Sequence, residues 1–304
     1  IKDSVELAQY SDQIGLKRFW LAEHHGSNSF AGCSPEILIP RIASSTKNIR
    51  VGSGGVMLMH YSPYKVAENF RLLESMFPRR IDLGLGRAPG SDPFQAGALA
   101  YGSKTTGPEF FPTKMNDLRS FLSNQTPETK SFENVNVTPG LGDVPDTWLL
   151  VSSEQGADYA SFFGLPMSLA YFINQDCLHL AKPYRENFQK SIFGDSPQVS
   201  VAVFAICAET NEEANLLASS ASIWRENVSK GIFGPFPTLE EATKKIKDKD
   251  KEEGKSIVGD QKYVEGQLMK ILEETNADEL KIITICESMS SKKESYRLIK
   301  EIFS

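Results

Sequence analysis

Short apolar runs rich in β-branched and aromatic residues alternate along this chain with longer stretches of helical periodicity. This βαβα alternation predicts a mostly parallel sheet covered by helices. The runs that predict strands are residues 18–23, 49–58, 81–86, 147–152, 167–173, 199–207 and 280–286. Between them, Ser-Pro pairs and Thr210 predict helices over residues 35–46, 63–76 and 211–227.

The number of predicted strands favours an α/β fold of the (β/α)8 TIM barrel type, with a doubly wound open sheet as the alternative. At 304 residues the chain has a length at which such a barrel forms a single domain, here residues 1–304. The phosphate fingerprint of a doubly wound fold is not seen, because Gly84, Gly86 and Gly90 are spaced GxGxxxG. An apolar stripe predicts a helix before the first strand, so we expect the first barrel strand to lie upstream of residue 1.

Two long connections, residues 87–114 and 228–261, exceed the usual loop lengths and are rich in Gly, Pro, Ser and Lys. We predict that both are mobile loops at an active site. Within the second, the mixed-charge run at 244–255 predicts a solvated surface segment.

Charge and composition narrow the functional classes. The net charge of −6 and the dispersed basic residues argue against nucleic acid as a partner. No apolar stretch has the length of a membrane span or the pattern of a signal peptide, so a soluble cytoplasmic protein is expected. The four cysteines form no CxxC pair, and we predict that all four are buried as small apolar residues.

Polar residues follow the first predicted strand, where Glu23, His24 and His25 stand in a row. Active sites of parallel α/β barrels lie at the C-terminal ends of the strands, and histidine transfers protons near neutral pH. Because a strand alternates its faces, only one of the two histidines can point into a pocket. The alternative is that one histidine bonds to a loop and the other lies on the surface. We predict no metal site, since no HxH or HExxH spacing occurs.

Glycines interrupt the next predicted strand at Gly52, Gly54 and Gly55, on either side of Ser53. Glycines in a strand mark a bulge, an unusual peptide or the close approach of a flat ligand to the backbone. Relief of crowding inside the barrel is the alternative.

Two further strand ends carry groups that suit an anion. Arg87 ends the strand at 81–86, and Ser152, Ser153 and Gly156 lead from another strand into a helix. A helix N-terminus with free N–H groups binds anions, and arginine pairs well with phosphate. An ordinary salt bridge and simple helix capping are the alternatives. Tyr171 and Phe172 end a further strand, where aromatic rings line a planar cofactor or belong to the core.

Four segments carry a resemblance to a known family: FWLAEHH, VGSGGVML, SPYKVAENFRLLESMFPRRIDLGLGRAPGSD and SSEQGADYASFFGLPMSLAYFIN. In this order and spacing they resemble the bacterial luciferase-like monooxygenases over nearly the whole chain. The resemblance implies a homodimeric barrel that binds FMN as FMNH₂, or in some relatives F420, at its C-terminal mouth.

The resemblance also implies roles for residues at matching positions. His24 matches the histidine that assists peroxyflavin chemistry, and Tyr171 matches an aromatic residue beside the flavin. Ser53, Gly54 and Gly55 match a segment with a non-proline cis peptide beneath the isoalloxazine. The positions that match the phosphate-binding residues are Arg87, Ser152, Ser153 and Gly156.

The expected activity is that of a monooxygenase that uses FMNH₂ and O₂, through a C4a-peroxyflavin, on an unidentified small organic substrate. A separate flavin reductase is the expected source of reduced flavin. The alternatives are an F420- or FMN-dependent dehydrogenase or reductase, and a flavin-binding protein without catalysis. Gly86 stands where the light-emitting luciferase has a reactive cysteine, and Ser152 stands where it has a glutamate. We therefore expect no light emission.

Overall fold

A parallel sheet surrounded by helices forms the computed structural model, which describes residues 1–88, 90–140, 142–232, 234–246 and 256–304. The strands are β1 (Arg18–Leu21), β2 (Arg50–Ser53), β3 (Val56–Met57), β4 (Ile81–Gly86), β5 (Asp146–Val151), β6 (Met167–Ala170), β7 (Val199–Ala208), β8 (Ser256–Asp260) and β9 (Glu279–Ile283). The helices are α1 (Lys2–Gln13), α2 (Pro35–Ala43), α3 (Pro63–Met76), α4 (Pro93–Ala100), α5 (Phe111–Ser123), α6 (Glu154–Phe163), α7 (Ala181–Asn187), α8 (Asn211–Ser229), α9 (Leu239–Ile246), α10 (Gln261–Thr275) and α11 (Met289–Ile302).

The order of the strands confirms the predicted barrel architecture. They pair in the order β1-β2-β4-β5-β6-β7, and every ladder between them is parallel. A doubly wound sheet would reverse this order at a switch point, and no reversal occurs among the described strands. β7 then pairs with both β8 and β9. In the described part of the chain no hydrogen-bonded ladder joins β9 to β1, so the barrel is not closed by hydrogen bonds.

Several predicted boundaries of strands and helices agree with the structure, and others differ from it. The predicted strand at 81–86 is β4, and the predicted helix at 63–76 is α3. The strand predicted at 49–58 is divided into β2 and β3 on either side of Gly54 and Gly55. The strand predicted to extend to residue 173 ends at Ala170, where a turn begins.

Both predicted loops contain regular secondary structure. The connection at 87–114 contains α4, and the connection at 228–261 contains α9 and the strand β8. The sequence did not indicate β8, because only Ile257 and Gly259 of its five residues are buried. Most of the mixed-charge run, residues 247–255, lies outside the described residues.

The strands separate a helix-facing layer from the barrel lumen. On β4, Ile81, Leu83 and Leu85 are fully buried in the main apolar core with the helices. Side chains of the opposite parity meet inside the barrel, where Trp20 of β1 packs edge to face on Trp148 of β5 at 5.8 Å between ring centroids. The Lys281 ammonium of β9 lies 4.1 and 4.0 Å from these two ring centroids. We call these three side chains the lumen floor.

Ion pairs cross the barrel beneath the lumen floor, at the N-terminal ends of the strands. Arg18 of β1 contacts Asp82 of β4 at 2.8 Å and Glu279 of β9 at 2.9 Å. Burial alone would raise the pKa of Glu279, but the hydrogen bond and charge of Arg18 outweigh burial and lower it. Side chains therefore connect β1 to β9 where no backbone ladder does.

The cysteine prediction is correct for three residues and wrong for one. Cys177, Cys207 and Cys286 are buried, whereas Cys33 is exposed because it lies in the loop after β1 and not in a strand or helix. Burial raises the pKa of each buried thiol to about 11. In the described part of the chain no helix combines the length and apolar character that crossing a membrane requires.

Candidate functional site at the barrel mouth

Glycines of β2 and β4 bring the two strands together near the C-terminal mouth of the barrel. A Cβ atom at Gly84 would lie 2.1 Å from the carbonyl oxygen of Ser53, and one at Gly55 would lie 2.7 Å from that of Gly84. Relief of crowding, the alternative reading of these glycines, therefore holds at this position. A Cβ atom at Gly54 would lie 3.1 Å from Cβ of Trp20, so the Gly54 backbone lies directly against the lumen floor.

The peptide bond between Gly54 and Gly55 is cis, in the segment where the resemblance implies a cis peptide. Ser53 precedes it and is fully buried. The Ser53 hydroxyl donates a hydrogen bond of 2.8 Å to the carbonyl oxygen of Gly84. Its side chain thus links β2 to β4 instead of opening onto the mouth.

The two histidines after β1 have different partners. The predicted alternation of a strand does not apply to them, because β1 ends at Leu21 and both lie in the loop that follows. The His25 ring contacts the Glu23 carboxylate, with 2.9 Å between Nε2 and Oε1. The His24 ring stacks on Phe30, with 4.3 Å between ring centroids. Burial lowers the pKa of His24, and a hydrogen bond with the Gly90 carbonyl opposes part of that effect. A pKa lowered from its ordinary value of 6.5 favours the neutral imidazole at pH 7.

Glu23 organises the segment behind His24, a role that the sequence did not reveal. Its carboxylate is 1% exposed and accepts hydrogen bonds from the Met57 amide at 3.0 Å and the Tyr61 hydroxyl at 2.6 Å, besides its contact with His25. Burial and the hydrogen bond to Glu23 raise the pKa of Tyr61. The signal for this role in the sequence was an acidic residue directly before two histidines at the end of a predicted strand.

The C-terminal half of α8 reaches the loop after β1. Trp224 packs edge to face on Phe30 at 5.6 Å and tilts against Phe236 at 6.3 Å. Its indole nitrogen donates a hydrogen bond of 2.9 Å to the Ser29 hydroxyl. These contacts place a row of aromatic rings beside His24.

Arg87, Ser153 and Gly156 come together at the N-terminus of α6. Arg87 donates hydrogen bonds to Oε1 of Gln155 at 2.8 Å and to Oγ of Ser153 at 3.0 Å. The Ser153 hydroxyl oxygen also accepts a hydrogen bond from the Gly156 amide. The guanidinium carbon lies 5.7 Å from the Phe111 ring centroid. A guanidinium, a hydroxyl and the amides of a helix N-terminus can bind an anion.

Two other predicted site residues have less direct positions. The Ser152 carbonyl accepts a hydrogen bond of 2.9 Å from the Asn174 side chain. Tyr171 packs against the main apolar core, and burial together with the charge of Glu274 on the outer helix α10 raises its pKa, so its ring lies near the helices. Its neighbour Phe172 packs on Phe204 of β7, with 4.7 Å between ring centroids.

Comparison with known proteins identifies close relatives. The family model described as luciferase-like monooxygenase matches residues 1–274. The protein YwcH of Bacillus subtilis (strain 168) is 39% identical over 100% of this chain and 93% of its own length. N-acetyl-S-alkylcysteine monooxygenase of the same organism is 38% identical over 70% of this chain and 64% of its own length.

Solved structures share the fold. The crystal structure of apo-MsnO8 is 34% identical, covers 99% of this chain and 92% of its own, and has a TM-score of 0.88. The FMN complex of the oxygenating constituent of 3,6-diketocamphane monooxygenase, from a Pseudomonas putida plasmid, is 18% identical, with coverages of 98% and 90% and a TM-score of 0.72. The coenzyme F420-dependent tetrahydromethanopterin reductase of Methanopyrus kandleri is 14% identical, with coverages of 99% and 94% and a TM-score of 0.70.

Proposed function

This chain belongs to the luciferase-like monooxygenase family, and from that premise we propose that it oxidises a small organic substrate with reduced FMN and O₂. Reduced FMN supplies the electrons with which such an enzyme activates oxygen. One observation carries the proposal: the anion-binding group of Arg87, Ser153 and Gly156 lies at the same C-terminal end of the strands as His24 and the Gly54 backbone.

The residues at the mouth fit an FMN molecule. The Arg87 guanidinium and the first turn of α6 offer positively polarised donors to a phosphate. Glycines 54, 84 and 86 leave the β2–β4 side of the mouth without projecting side chains, as a flat ring system requires. We propose that Ser152 contributes to the phosphate site and that Phe172, instead of Tyr171, is the aromatic residue nearest the ring.

His24 is the proposed proton-transfer group. Its neutral imidazole can accept a proton near pH 7 and, once protonated, can return it. The aromatic row of Phe30, Trp224 and Phe236 lies beside it and limits the access of water. The chain's own contribution is thus to hold the flavin, exclude water and position one proton-transfer group.

One relative with a named activity indicates which substrates to test first. The relative named N-acetyl-S-alkylcysteine monooxygenase makes thioethers of N-acetylcysteine the first compounds to test. A separate reductase as the source of reduced FMN, and a homodimeric assembly, are parts of the same proposal.

Anaerobic titration of the protein with FMN, photoreduced FMN, F420 and reduced F420, followed by admission of air with a panel of thioethers and aldehydes, tests this function. We expect reduced FMN to bind most tightly and oxygen uptake to depend on substrate. Preference for F420 with turnover in the absence of oxygen would move the protein to the dehydrogenases. Tight FMN binding without oxidation of any compound would leave a flavin-binding protein.

A further inference from the structure

The His24 imidazole is held between the backbone and a chain of aromatic contacts. One ring face stacks on Phe30 at an interplanar angle of 29°, and the Gly90 carbonyl hydrogen-bonds to the ring. The backbone amide of His24 donates to the Gly32 carbonyl at 3.0 Å. The ring position of Phe30 therefore determines how much of the imidazole is shielded from water.

Phe30 is in turn held by α8. Its ring meets Trp224 at an interplanar angle of 80°, and Phe30 itself is 38% exposed, so the two ring contacts are a large part of its packing. Trp224 lies 194 positions after Phe30 along the chain. A helix distant in sequence thus supports the ring on which His24 stacks.

Ser29 fixes Trp224 by serving two partners at once. Its hydroxyl accepts the indole N–H of Trp224 at 2.9 Å and donates to the Gly234 carbonyl at 2.7 Å. An acceptor and a donor contact on one hydroxyl define its orientation completely. The hydrogen bond therefore restrains the direction of the indole, whose plane is nearly perpendicular to that of Phe30.

We propose that Trp224, held by Ser29, is a positioning residue that keeps Phe30 stacked on His24 and so sets the orientation and water exposure of the imidazole. The proposal rests on the role proposed for His24. The proposed site then includes the C-terminal half of α8, although the sequence indicated site residues only at the C-terminal ends of strands.

The pKa of His24 can report the position of Phe30, because the charged groups near the imidazole are known. Glu23 and His25 flank it on its own segment, and Arg225 and Glu226 flank Trp224 on α8. Burial is the largest cause of the lowered pKa of His24. Loss of the Phe30 stack exposes the ring to water, and the pKa of His24 then rises toward its ordinary value of 6.5.

Proton NMR titration of the four histidines in the flavin-free protein provides the test, with the His24 signal assigned by its loss in His24→Gln. We expect Trp224→Leu to raise the pKa of His24 toward its ordinary value of 6.5. Trp224→Phe, which keeps a ring but loses the bond to Ser29, should give a smaller rise, and Ser29→Ala a rise similar to that of Trp224→Phe. The NMR signal of His179, which is exposed, should be the same in every variant.

Phe162→Leu is the matched control, because Phe162 makes an edge-to-face contact with Phe163 at 5.1 Å on the outer helix α6. A pKa of His24 that is unchanged in both Trp224→Leu and Ser29→Ala would overturn the proposal, and Ser29→Ala carries the test if Trp224→Leu does not fold. In the protein with FMN bound, Trp224→Leu and Ser29→Ala should both lower kcat. The dissociation constant of FMN should stay the same in both variants. Failure of the role proposed for His24 has a different signature: full turnover in His24→Gln, whatever the NMR titration shows.

Discussion

Arg87 donates a hydrogen bond of 3.0 Å from Nη2 to the Ser153 hydroxyl oxygen, and this bond joins the end of β4 to the first turn of α6. Replacing Arg87 with Met should weaken FMN binding by about 10- to 100-fold, because a charge-assisted hydrogen bond contributes about 1.5–3 kcal/mol. Riboflavin, which lacks the phosphate, should bind equally to both proteins. Fluorescence titration with the two ligands measures this, and Arg297→Met on the outer helix α11 is the control. Equal losses for FMN and riboflavin would contradict a phosphate role.

Substitution of His24 by Gln should leave FMN binding intact and lower turnover by about 10²- to 10⁴-fold, the usual contribution of a proton-transfer group. Steady-state rates of oxygen uptake with a saturating substrate measure the effect. His179→Gln is the control, since His179 is exposed on the turn after β6. Turnover that survives in His24→Gln would assign proton transfer to another residue.

The close approach of β2 and β4 predicts that Gly84→Ala is strongly destabilising. The new Cβ atom would lie 2.1 Å from a backbone oxygen that cannot move without breaking the sheet, so we expect a loss of at least about 3 kcal/mol. Gly97→Ala in α4 meets no atom within 4 Å and should gain about 0.5–1 kcal/mol. Urea unfolding monitored by circular dichroism compares the two, and similar midpoints would refute the steric argument.

Lys281 makes stability depend on pH. Burial lowers its pKa from 10.5 to about 7, so between these two values the unfolded chain holds a proton that the folded chain has released. The free energy of unfolding therefore rises with pH over this interval, and the penalty of a charged Lys281 is fully present below it. Lys281→Met should stabilise the protein at pH 7 and lose that advantage toward pH 10.

We expect a difference of about 1–2 kcal/mol, less than the full pKa shift corresponds to, because water reaches the residue at the open edge of β9. Urea unfolding at both pH values measures it. Lys293→Met is the control, since that ammonium lies 5.5 Å from the Tyr10 ring on the protein surface. A stability difference that does not change with pH would show that Lys281 is charged throughout.

Thiol accessibility should separate Cys33 from the other cysteines. Ellman's reagent at about pH 8 should modify one thiol per native chain, because burial and a pKa of about 11 keep the other three thiols protonated and out of contact with the reagent. In urea all four should react. Cys33→Ser should abolish the native reaction, and any remaining rapid reaction would show that a buried thiol becomes exposed.

Periodicity in the sequence was sufficient where an element is long or uniformly buried. Every residue of β4 is buried, and α3 begins at a proline and places Val66, Phe70 and Leu73 on one face, so both elements were predicted with the correct bounds. β8 was not, because a strand of five residues with alternating burial resembles a loop when a charged run precedes it.

The candidate site also combines residues that the sequence indicated with residues that it did not. Arg87 and Ser153 were predicted together because both follow parallel strands, whose C-terminal ends meet at one edge. The choice between Tyr171 and Phe172 could not be made, because β6 ends at Ala170 and both residues lie in the turn that follows, whose geometry the sequence does not indicate. Trp224 was missed because nothing in a helical repeat indicates where the helix passes the mouth of a barrel.

The route of the chain through the sheet has a consequence for how the molecule folds. Each strand from β2 to β7, apart from β3, bonds to the barrel strand made just before it, so the sheet can grow in the direction of synthesis. The pair formed by Arg18 and Glu279 spans 261 residues, and a loop of that length closes only after the intervening strands have assembled. We therefore expect this pair to form late in folding, as a contact that joins the first and last strands of the sheet.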